Sequence, residues 1–565
     1  MLTTVAEPKP ETTDKKDAQP RSHIREGVET IAFVVTLVLL LKLFVVEAFV
    51  IPTGSMAETL YGYQKIVQCS QCKFEFPVNS HDEVEGNASS GRKTPLLGYT
   101  CPNCRYKGDF LNTDRPDNRS GDRVLVLKPI YHAIHPHRGD VVVFKYPKEP
   151  QDARLSAVNY IKRAMGFGGE TIAIFRGELF TTRDLDYPAD LKNEDGEPIY
   201  PRPENPFDAW RLRYMYSTAY NRNPLALNRF NETWNAGFPA DKKSFEIIRK
   251  DDAQVLACKR IVWDNDFQPT SLKGVAKPRW QTDGAGWTTD DATQPRVFTH
   301  AGAEQQWLHY QHLIDVWSSN PAQASPSIIR NFLGYNSGEF GPEGQSRAST
   351  ADKAWVGDLL LECDIEFSND TEVVLELSRS IHRYQAAFAS GTVTLTQVGK
   401  DAKTLSTRPT TIKGSGKFTL RFANVDSRLR VWVDGTAIDF GGEADYAPVM
   451  VKSNDMPNGG TEGWTKDNDE IRPASIGVKG AATVRKVRLF RDIFYCNMSG
   501  TIEPETPEVY YVQPGHYLCL GDNSAQSSDS RMWGTVPERL LLGKAVFVFW
   551  PFSIDRAKNR IGLIK

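Results

Sequence analysis

The most hydrophobic stretch of the chain lies close to its start. Residues 31–51 are apolar apart from three polar positions, and these 21 residues could cross a bilayer core of about 30 Å as a helix. The preceding residues 1–27 are polar and carry several Lys and Arg. Residues 1–27 are therefore predicted to form a disordered cytoplasmic tail, and 28–51 a transmembrane helix. The basic residues before the helix predict that everything after it lies outside. The competing interpretation is a cleaved signal peptide that ends at Val46-Glu47-Ala48.

A second pattern, strict alternation of apolar and polar positions, begins at about residue 355. Apolar and acidic residues alternate over 361–367, and several similar runs follow. Half-buried strands at such spacing are typical of an antiparallel β-sandwich, which we predict over 255–495. Residues 176–254 are rich in Pro, Asn and aromatic side chains and show no clean period, so they are predicted to form an irregular insertion.

Within the predicted sandwich, the pattern over 418–435 resembles that of concanavalin-like and laminin-G-like modules. Such folds often bind glycans, but a fold does not determine a function. A scaffold or a docking surface for a protein is an equally open alternative. We therefore expect a glycan or a protein as the partner of the sandwich.

Composition narrows the class of protein. The chain has 565 residues, of which 40% are hydrophobic and 24% charged, and this balance excludes a disordered chain, a collagen-like fibre and a small disulfide scaffold. The mean hydropathy of −0.43 excludes a membrane protein with many spanning helices. The 68 basic and 70 acidic residues nearly cancel, so no nucleic-acid partner is expected.

Four short blocks carry the chemistry. The first block, at 52–60, follows the apolar stretch and reads Pro-Thr-Gly-Ser-Met-Ala-Glu-Thr-Leu. The second, at 137–145, is a turn that leads into a strand, and the third, at 159–170, is a strand with a Lys followed by a Gly-rich turn. The fourth, at 520–534, begins with Leu-Gly-Asp-Asn-Ser. Their order and content resemble the type I signal peptidase family. That resemblance implies a membrane-anchored serine endopeptidase with an antiparallel β catalytic domain, which removes signal peptides from exported preproteins.

Carried over residue by residue, the resemblance implies that Ser55 is the nucleophile and Lys162 its general base. A Lys with an ordinary pKa near 10.4 is protonated at neutral pH and cannot act as a base, whereas an apolar setting lowers its pKa. The residues around Lys162 are largely apolar, as this chemistry requires. Thr53 corresponds to an oxyanion-hole hydroxyl beside the Ser55 backbone N–H, and Ser527 to a hydroxyl that orients the Lys amine.

The family also has a polar framework that supports the site without taking part in the reaction. In this sequence the corresponding residues are Arg163, Asp522, Asp529 and Arg531. The predicted peptidase domain comprises 52–60, 121–175 and 496–565.

The segment 61–120 lies between two parts of that domain and is predicted to be an insertion. It contains two Cys-x-x-Cys pairs, Cys69 with Cys72 and Cys101 with Cys104. This spacing resembles a zinc ribbon, in which four thiolates surround one structural Zn²⁺. Two disulfides remain an alternative, because the predicted topology places the segment outside the cytoplasm. No cofactor is expected for the reaction itself.

Together these features predict a mainly β protein in which a zinc ribbon and a β-sandwich interrupt the catalytic domain. Its expected location is the cell membrane, with a single span, a cytoplasmic N-terminus and the catalytic domain on the outer side. The expected partners are preproteins that carry signal peptides and the lipid bilayer. Two alternatives remain: a membrane-tethered binding module with an inactive peptidase domain, and a self-cleaving Ser-Lys repressor.

Overall fold

The structure of the chain is a computed structural model. It describes residues 23–86, 91–110, 115–147, 158–183, 185, 224–238, 244–340, 345–346, 353–368, 370–399, 401–449, 463–497, 507–551 and 560–565. The described part is mainly β, which confirms the predicted class.

Six α-helices occur among the described residues: α1 (His23–Leu40), α2 (His81–Val84), α3 (Ile130–Ala133), α4 (Pro224–Asn235), α5 (Asp252–Cys258) and α6 (Ser530–Trp533). Short 3-10 turns lie at Thr270–Leu272, Asp315–Trp317, Pro321–Gln323, Gly334–Asn336, Gly441–Ala444, Ser524–Gln526 and Glu538–Leu540, and π-helical turns at Leu41–Val45 and Lys466–Glu470.

The strands of the first third are β1 (Val46–Val50), β2 (Gln64–Gln68), β3 (Glu75–Asn79), β4 (Leu96–Thr100), β5 (Lys107–Asp109), β6 (Arg123–Leu127), β7 (Val141–Lys145), β8 (Asn159–Phe167), β9 (Thr171–Phe175) and β10 (Glu178–Thr182). The middle strands are β11 (Glu246–Ile247), β12 (Arg260–Asp264), β13 (Trp280–Thr282), β14 (Trp287–Thr289), β15 (Phe298–His300), β16 (Gln306–Tyr310), β17 (Glu339–Phe340), β18 (Gln345–Ser346), β19 (Leu359–Phe367), β20 (Glu372–Arg379), β21 (His382–Ala389), β22 (Thr392–Val398), β23 (Lys403–Pro409), β24 (Gly416–Val425), β25 (Arg428–Val433), β26 (Thr436–Ala437), β27 (Ala474–Lys479) and β28 (Ala482–Arg491). The last strands are β29 (Glu508–Tyr511), β30 (His516–Leu520), β31 (Val536–Pro537), β32 (Leu541–Trp550) and β33 (Gly562–Leu563).

One antiparallel sheet joins segments that are far apart in sequence. Its strand order is β1-β6-β32-β7-β8-β30-β31, so the strand that carries Lys162 lies between β7 and β30. The β-branched run of β7 is buried on both faces and pairs with β8, with Val142 opposite Lys162. A strand buried on both faces provides the apolar setting that a low lysine pKa requires.

A smaller sheet, in the order β11-β10-β9-β29, continues from the same region. Two of its strands, β10 and β11, lie within 176–254, which the sequence predicts to be irregular, and α4 lies there as well. That prediction is wrong for these parts, because Phe180 and other aromatic residues there pack into one buried cluster with Phe230 of α4. Residues 186–223 lie outside the described residues.

Two larger sheets form the predicted sandwich region. One runs β14-β15-β28-β19-β24-β25-β26, and the other β13-β16-β27-β20-β21-β22-β23. The apolar members of the alternating runs, such as Cys363 of β19 and Leu375 of β20, are fully buried in a common core. The alternation therefore reflects strands whose apolar face packs on this core. Their polar members are half-buried, as at Asp364, or buried, as at Glu362 and Glu376.

The cysteine-containing segment shares its core and a sheet with the large insertion. β17, from within the large insertion, pairs with β4 in a sheet of order β18-β17-β4-β5. The four paired cysteines belong to the same buried cluster as Trp263 and the sandwich residues. The two insertions are thus packed together in the structure.

The N-terminal prediction needs correction. Helix α1 ends at Leu40, and residues 46–50 form the edge strand β1, which pairs with β6. Three charged residues near the start of α1 lower its hydropathy, and the β-branched and aromatic residues of β1 suit a strand that completes the open edge of β6. None of the helices in the described ranges has both the length and the hydropathy needed to span a membrane.

The predicted tail over 1–27 is also wrong at its end, because His23 to Gly27 already form the first turns of α1. Residues 1–22 lie outside the described residues. Glu47, which the sequence places within the predicted span, instead forms an ion pair of 2.7 Å with Lys128.

Candidate active site

The structure brings Ser55 and Lys162 together. Ser55 lies on the turn that follows β1, in the segment 52–60, which we call the serine loop. Lys162 lies on β8, and its Nζ is 2.8 Å from Ser55 Oγ. A second hydrogen bond, from Lys162 Nζ to the Ile161 carbonyl at 2.8 Å, fixes the direction of the amine. A nucleophile and a base in this contact are suited to acyl transfer.

The surroundings of Lys162 make it a usable base. Its side chain is only 2% exposed and passes Tyr160, whose ring centroid lies 5.5 Å from Nζ. Burial lowers the pKa of Lys162 to about 8, although the negative charges of Asp529 and, more weakly, Asp522 act in the opposite direction. The amine is therefore partly neutral near physiological pH, as a general base must be.

Asn523 donates two hydrogen bonds to the serine loop. Its backbone N–H donates to the Ser55 carbonyl at 3.1 Å, and its side-chain Nδ2 donates to the Gly54 carbonyl at 2.9 Å. Gly521 also approaches closely, since a Cβ there would lie 2.6 Å from the Ser55 carbonyl oxygen. The block at 520–534 thus packs directly against Ser55 and Gly54.

A buried ion pair ties this block to β8. Arg163 donates to both carboxylate oxygens of Asp522, at 2.9 Å and 2.5 Å, and to the Gly139 carbonyl at 2.7 Å. Thr59, at the end of the serine loop, donates to Asp522 at 2.6 Å. Burial raises the pKa of the Asp522 carboxyl, but Arg163 outweighs it and holds the pKa below its ordinary value. The Arg163–Asp522 pair thus links β8, the block at 520–534 and the end of the serine loop.

A second buried pair shapes the turn at 520–534. Arg531 donates to both oxygens of Asp529, at 2.8 Å and 2.7 Å, and Asp529 also accepts from the Gly521 backbone N–H at 2.9 Å. Arg531 continues to the Cys496 carbonyl and to Ser524. Burial raises the pKa of Asp529, and the Arg531 charge reverses this and holds it low. Both pairs are fully hydrogen-bonded, as buried charges need to be.

The two predicted hydroxyl residues, Thr53 and Ser527, differ in their contacts. Thr53 is exposed, and within the described ranges its hydroxyl makes no hydrogen bond to the protein. Ser527 lies against Gly521, where an added Cβ would overlap its hydroxyl oxygen. In the part of the chain that the structure describes, the hydrogen bonds of Lys162 go to Ser55 and Ile161 and not to Ser527. The orienting role of Ser527 therefore stays a prediction.

The four paired cysteines come together in a second cluster, which we call the cysteine cluster. Their sulfurs lie within 4.8 Å of one another and are all buried. Cys69 Sγ is 3.7 Å from Cys104 Sγ, and Cys72 Sγ is 3.6 Å from Cys101 Sγ. Four thiolates at about 2.3 Å from one zinc ion would be about 3.8 Å apart, whereas bonded sulfurs are about 2.05 Å apart. The geometry fits tetrahedral metal ligation and not disulfides.

The two halves of the cysteine cluster have the same local fold. Lys73 and Arg105 each follow a Cys-x-x-Cys pair and adopt left-handed backbone angles, with φ of 64° and 65°. In each half, the N–H of this residue donates to the carbonyl of the first cysteine, at 2.9 Å and 3.0 Å. Two matching knuckles of this kind direct four sulfurs towards one point.

Parts of the chain are similar in sequence to known proteins. The sequence model of the family described as "Signal peptidase, peptidase S26" matches residues 112–210 and 473–550. Signal peptidase I of Aquifex aeolicus (strain VF5) is 44% identical over 77 residues, 14% of this chain and 25% of that protein. Signal peptidase IB of Staphylococcus aureus (strain Mu50 / ATCC 700699) is 47% identical over 47 residues, 8% of this chain and 25% of that protein. These matches support the signal peptidase family.

The support is partial. The chain spans about a quarter of the length of the curated relatives that it matches. The family match contains Lys162 and the block at 520–534 but not Ser55.

Solved structures resemble part of the chain only distantly. The carbohydrate binding module CBM66 from Bacillus subtilis is 12% identical with a TM-score of 0.22, and the match covers 38% of this chain and 96% of that chain. Caenorhabditis elegans galectin LEC-6 is 13% identical with a TM-score of 0.16, covering 24% of this chain and 83% of that chain.

Two residues of the candidate site, Asn523 and Arg560, were not identified from the sequence. Asn523 lies inside a recognised block, so its position next to Asp522 was a usable signal. Arg560 donates to Asp122 at 2.6 Å and to the Thr59 carbonyl at 2.8 Å. Nothing in the local sequence marks Arg560, because its partners are hundreds of residues away.

Proposed function

We propose that the chain is a serine endopeptidase that removes N-terminal signal peptides from exported preproteins with a Ser-Lys dyad. The observation that carries the proposal is the distance of 2.8 Å between Ser55 Oγ and the buried Lys162 Nζ. The partial match to the signal peptidase family supports the substrate class.

In the proposed reaction, the neutral amine of Lys162 accepts the Ser55 hydroxyl proton while Ser55 Oγ attacks the scissile carbonyl. The oxyanion that forms accepts hydrogen bonds from the Ser55 backbone N–H and the Thr53 hydroxyl. The Lys162 ammonium then gives its proton to the leaving amine, which releases the mature protein and leaves the signal peptide as an ester on Ser55. A water molecule that Lys162 deprotonates hydrolyses the ester and restores both groups.

Cleavage of a preprotein in detergent by the full chain tests this function. We expect Ser55→Ala and Lys162→Ala each to lower the rate on the order of 10³-fold or more, with the melting temperature unchanged. Ser318→Ala, at an exposed serine of the insertion, is the matched control and should cleave normally. Activity retained in either dyad variant would refute the assignment. A wild-type chain that cleaves nothing would favour the binding module with an inactive peptidase domain.

We also propose that the cysteine cluster holds one structural Zn²⁺. The sulfur distances and the two matching knuckles support this, and Cys69, Cys72, Cys101 and Cys104 would supply all four ligands. Four protein ligands leave no open position, so the metal would stabilise the fold and take no part in cleavage. Metal analysis of the purified full chain should find one zinc per chain, lost in Cys72→Ser. Two disulfides, or four free thiols without metal, would refute it.

The cellular location is part of the same proposal. The large apolar side chains of α1, including Ile31 and Phe33, are exposed, and burial in lipid would remove them from water. We propose that α1 attaches the chain to the cell membrane, with the catalytic domain on the outer side. Membrane fractionation and protease access in intact cells test this, and a chain found only in the soluble fraction would contradict it.

A further inference from the structure

The large insertion reaches the serine loop directly. Residues 333–337, which we call the bridge segment, include a 3-10 turn. The segment contacts the serine loop through Tyr335 against Gly54, and the cysteine-containing segment through Gly334 against Pro102. Arg260, also from the insertion, lies 3.4 Å from the Ala57 carbonyl. The insertion is therefore in contact with the proposed active site, although Arg260 is 203 positions from Ala57 in the sequence.

The most specific contact is a reciprocal pair of side-chain amides. Asn336 Nδ2 donates to Asn523 Oδ1 at 2.7 Å, and Asn523 Nδ2 donates to Asn336 Oδ1 at 2.9 Å. Asn336 is 5% exposed and Asn523 is 3% exposed, so both bonds are shielded from water. The pair leaves the second N–H of Asn523 Nδ2 aimed at the Gly54 carbonyl. Asn336 thus fixes the orientation of the amide that holds the residue before the nucleophile.

Tyr335 of the bridge segment contacts Gly54 as well. Tyr335 is 1% exposed, and its ring lies so close to Gly54 that an added Cβ there would overlap it. The Tyr335 ring also packs against Tyr61, with centroids 5.3 Å apart, in a buried cluster with Ala57. The serine loop is therefore held between Asn523 on one side and the Tyr335 ring on another.

We propose that Asn336 is a positioning residue for the nucleophile, so that the large insertion is an integral part of the active site. This inference rests on the proposed function. Without Asn336, the Asn523 amide is free to rotate away from the Gly54 carbonyl, and Ser55 Oγ loses its fixed relation to Lys162. Small misplacements of a reacting group lower the rate strongly. Asn336 is not assigned to contact substrate, so its loss should act on kcat and leave KM unchanged.

Four variants of the full chain test the proposal. Asn336→Ala removes the amide, and Asn336→Leu removes it while keeping most of its volume. Asn336→Asp keeps an oxygen that can accept from Asn523. Asn265→Ala is the matched control, because Asn265 is 2% exposed and hydrogen-bonds to the Pro295 carbonyl within the insertion. The readouts are kcat, KM and the melting temperature on one preprotein substrate.

We expect Asn336→Ala and Asn336→Leu to lower kcat on the order of 10- to 100-fold with KM unchanged. Asn336→Asp should recover part of that loss, and Asn265→Ala should keep the wild-type kcat. Wild-type kcat in both Asn336→Ala and Asn336→Leu would overturn the inference. So would a loss of kcat that Asn265→Ala shows equally, or that only follows a lower melting temperature. A wild-type chain that cleaves nothing would refute the proposed function instead, which keeps the two failures distinct.

Discussion

Lowering the pH should switch off cleavage by protonating Lys162. Burial lowers the pKa of Lys162 to about 8, below its ordinary value near 10.5. The neutral fraction of an amine with that pKa is about 9% at pH 7, about 50% at pH 8 and about 91% at pH 9. Since only the neutral amine can accept the Ser55 proton, kcat/KM should rise about tenfold between pH 7 and pH 9 and then level off.

The assay is the initial rate of cleavage of a fluorogenic peptide that carries a signal-peptide cleavage site, measured from pH 6 to 10. Lys259 provides a matched control, because burial also lowers its pKa to about 8. Lys259 lies against the Phe490 ring, 4.3 Å from its centroid, and 3.9 Å from Glu362. Lys259→Gln should therefore leave the pH profile unchanged, which separates the titration of Lys162 from that of a partly buried lysine with a similar pKa.

Two results would refute the reasoning. A profile that stays flat between pH 6 and pH 9 would mean that no group with this pKa acts as the base. A profile that rises only near pH 10 would mean that Lys162 keeps an ordinary pKa, so that its burial does not act as we infer.

Three further predictions concern the supports of the site. Asp522→Asn leaves the buried Arg163 charge without its partner, so the free energy of unfolding in urea should fall by about 3–5 kcal/mol; a change below about 1 kcal/mol would contradict this. Removal of metal by a chelator should lower both the melting temperature and the cleavage rate, because Ser337 of the bridge segment accepts from the Thr100 N–H, beside the cysteine cluster, at 3.0 Å; an unchanged rate in metal-free protein would show that the two sites are independent. Gly54→Ala places a Cβ against the Tyr335 ring and should lower kcat at least tenfold, whereas normal cleavage by this variant would show that the loop has room to shift.

The β class of the fold could be predicted because its signal is local. The alternation over 361–367 lies within β19, where the apolar members face the shared core. The helix predicted over 28–51 was wrong at its end for a non-local reason. The same apolar residues suit a helix or a strand, and the edge of β6 supplied the hydrogen bonds that selected a strand for Val46–Val50.

The candidate site likewise combines features that could be predicted from the sequence with features that could not. The family resemblance of the four blocks implied Ser55 and Lys162, and the spacing of the cysteines indicated the two Cys-x-x-Cys pairs. The structure places Ser55 and Lys162 in contact and the four sulfurs in one cluster. Their chemical roles are the proposals tested above. Ser527 shows the limit of such transfer, since a match in a motif does not specify which hydrogen bond a hydroxyl makes.

The mainly β class and the two cysteine knuckles could be predicted from local sequence, because each depends on residues within a few positions of one another. The contact of Asn336 with Asn523, 187 residues away, became visible only in the folded chain, where it completes the support of the serine loop. A side-chain amide carries no sequence signal for a distant partner. Its role depends on which strands pair and how the insertions pack, and those are properties of the whole chain.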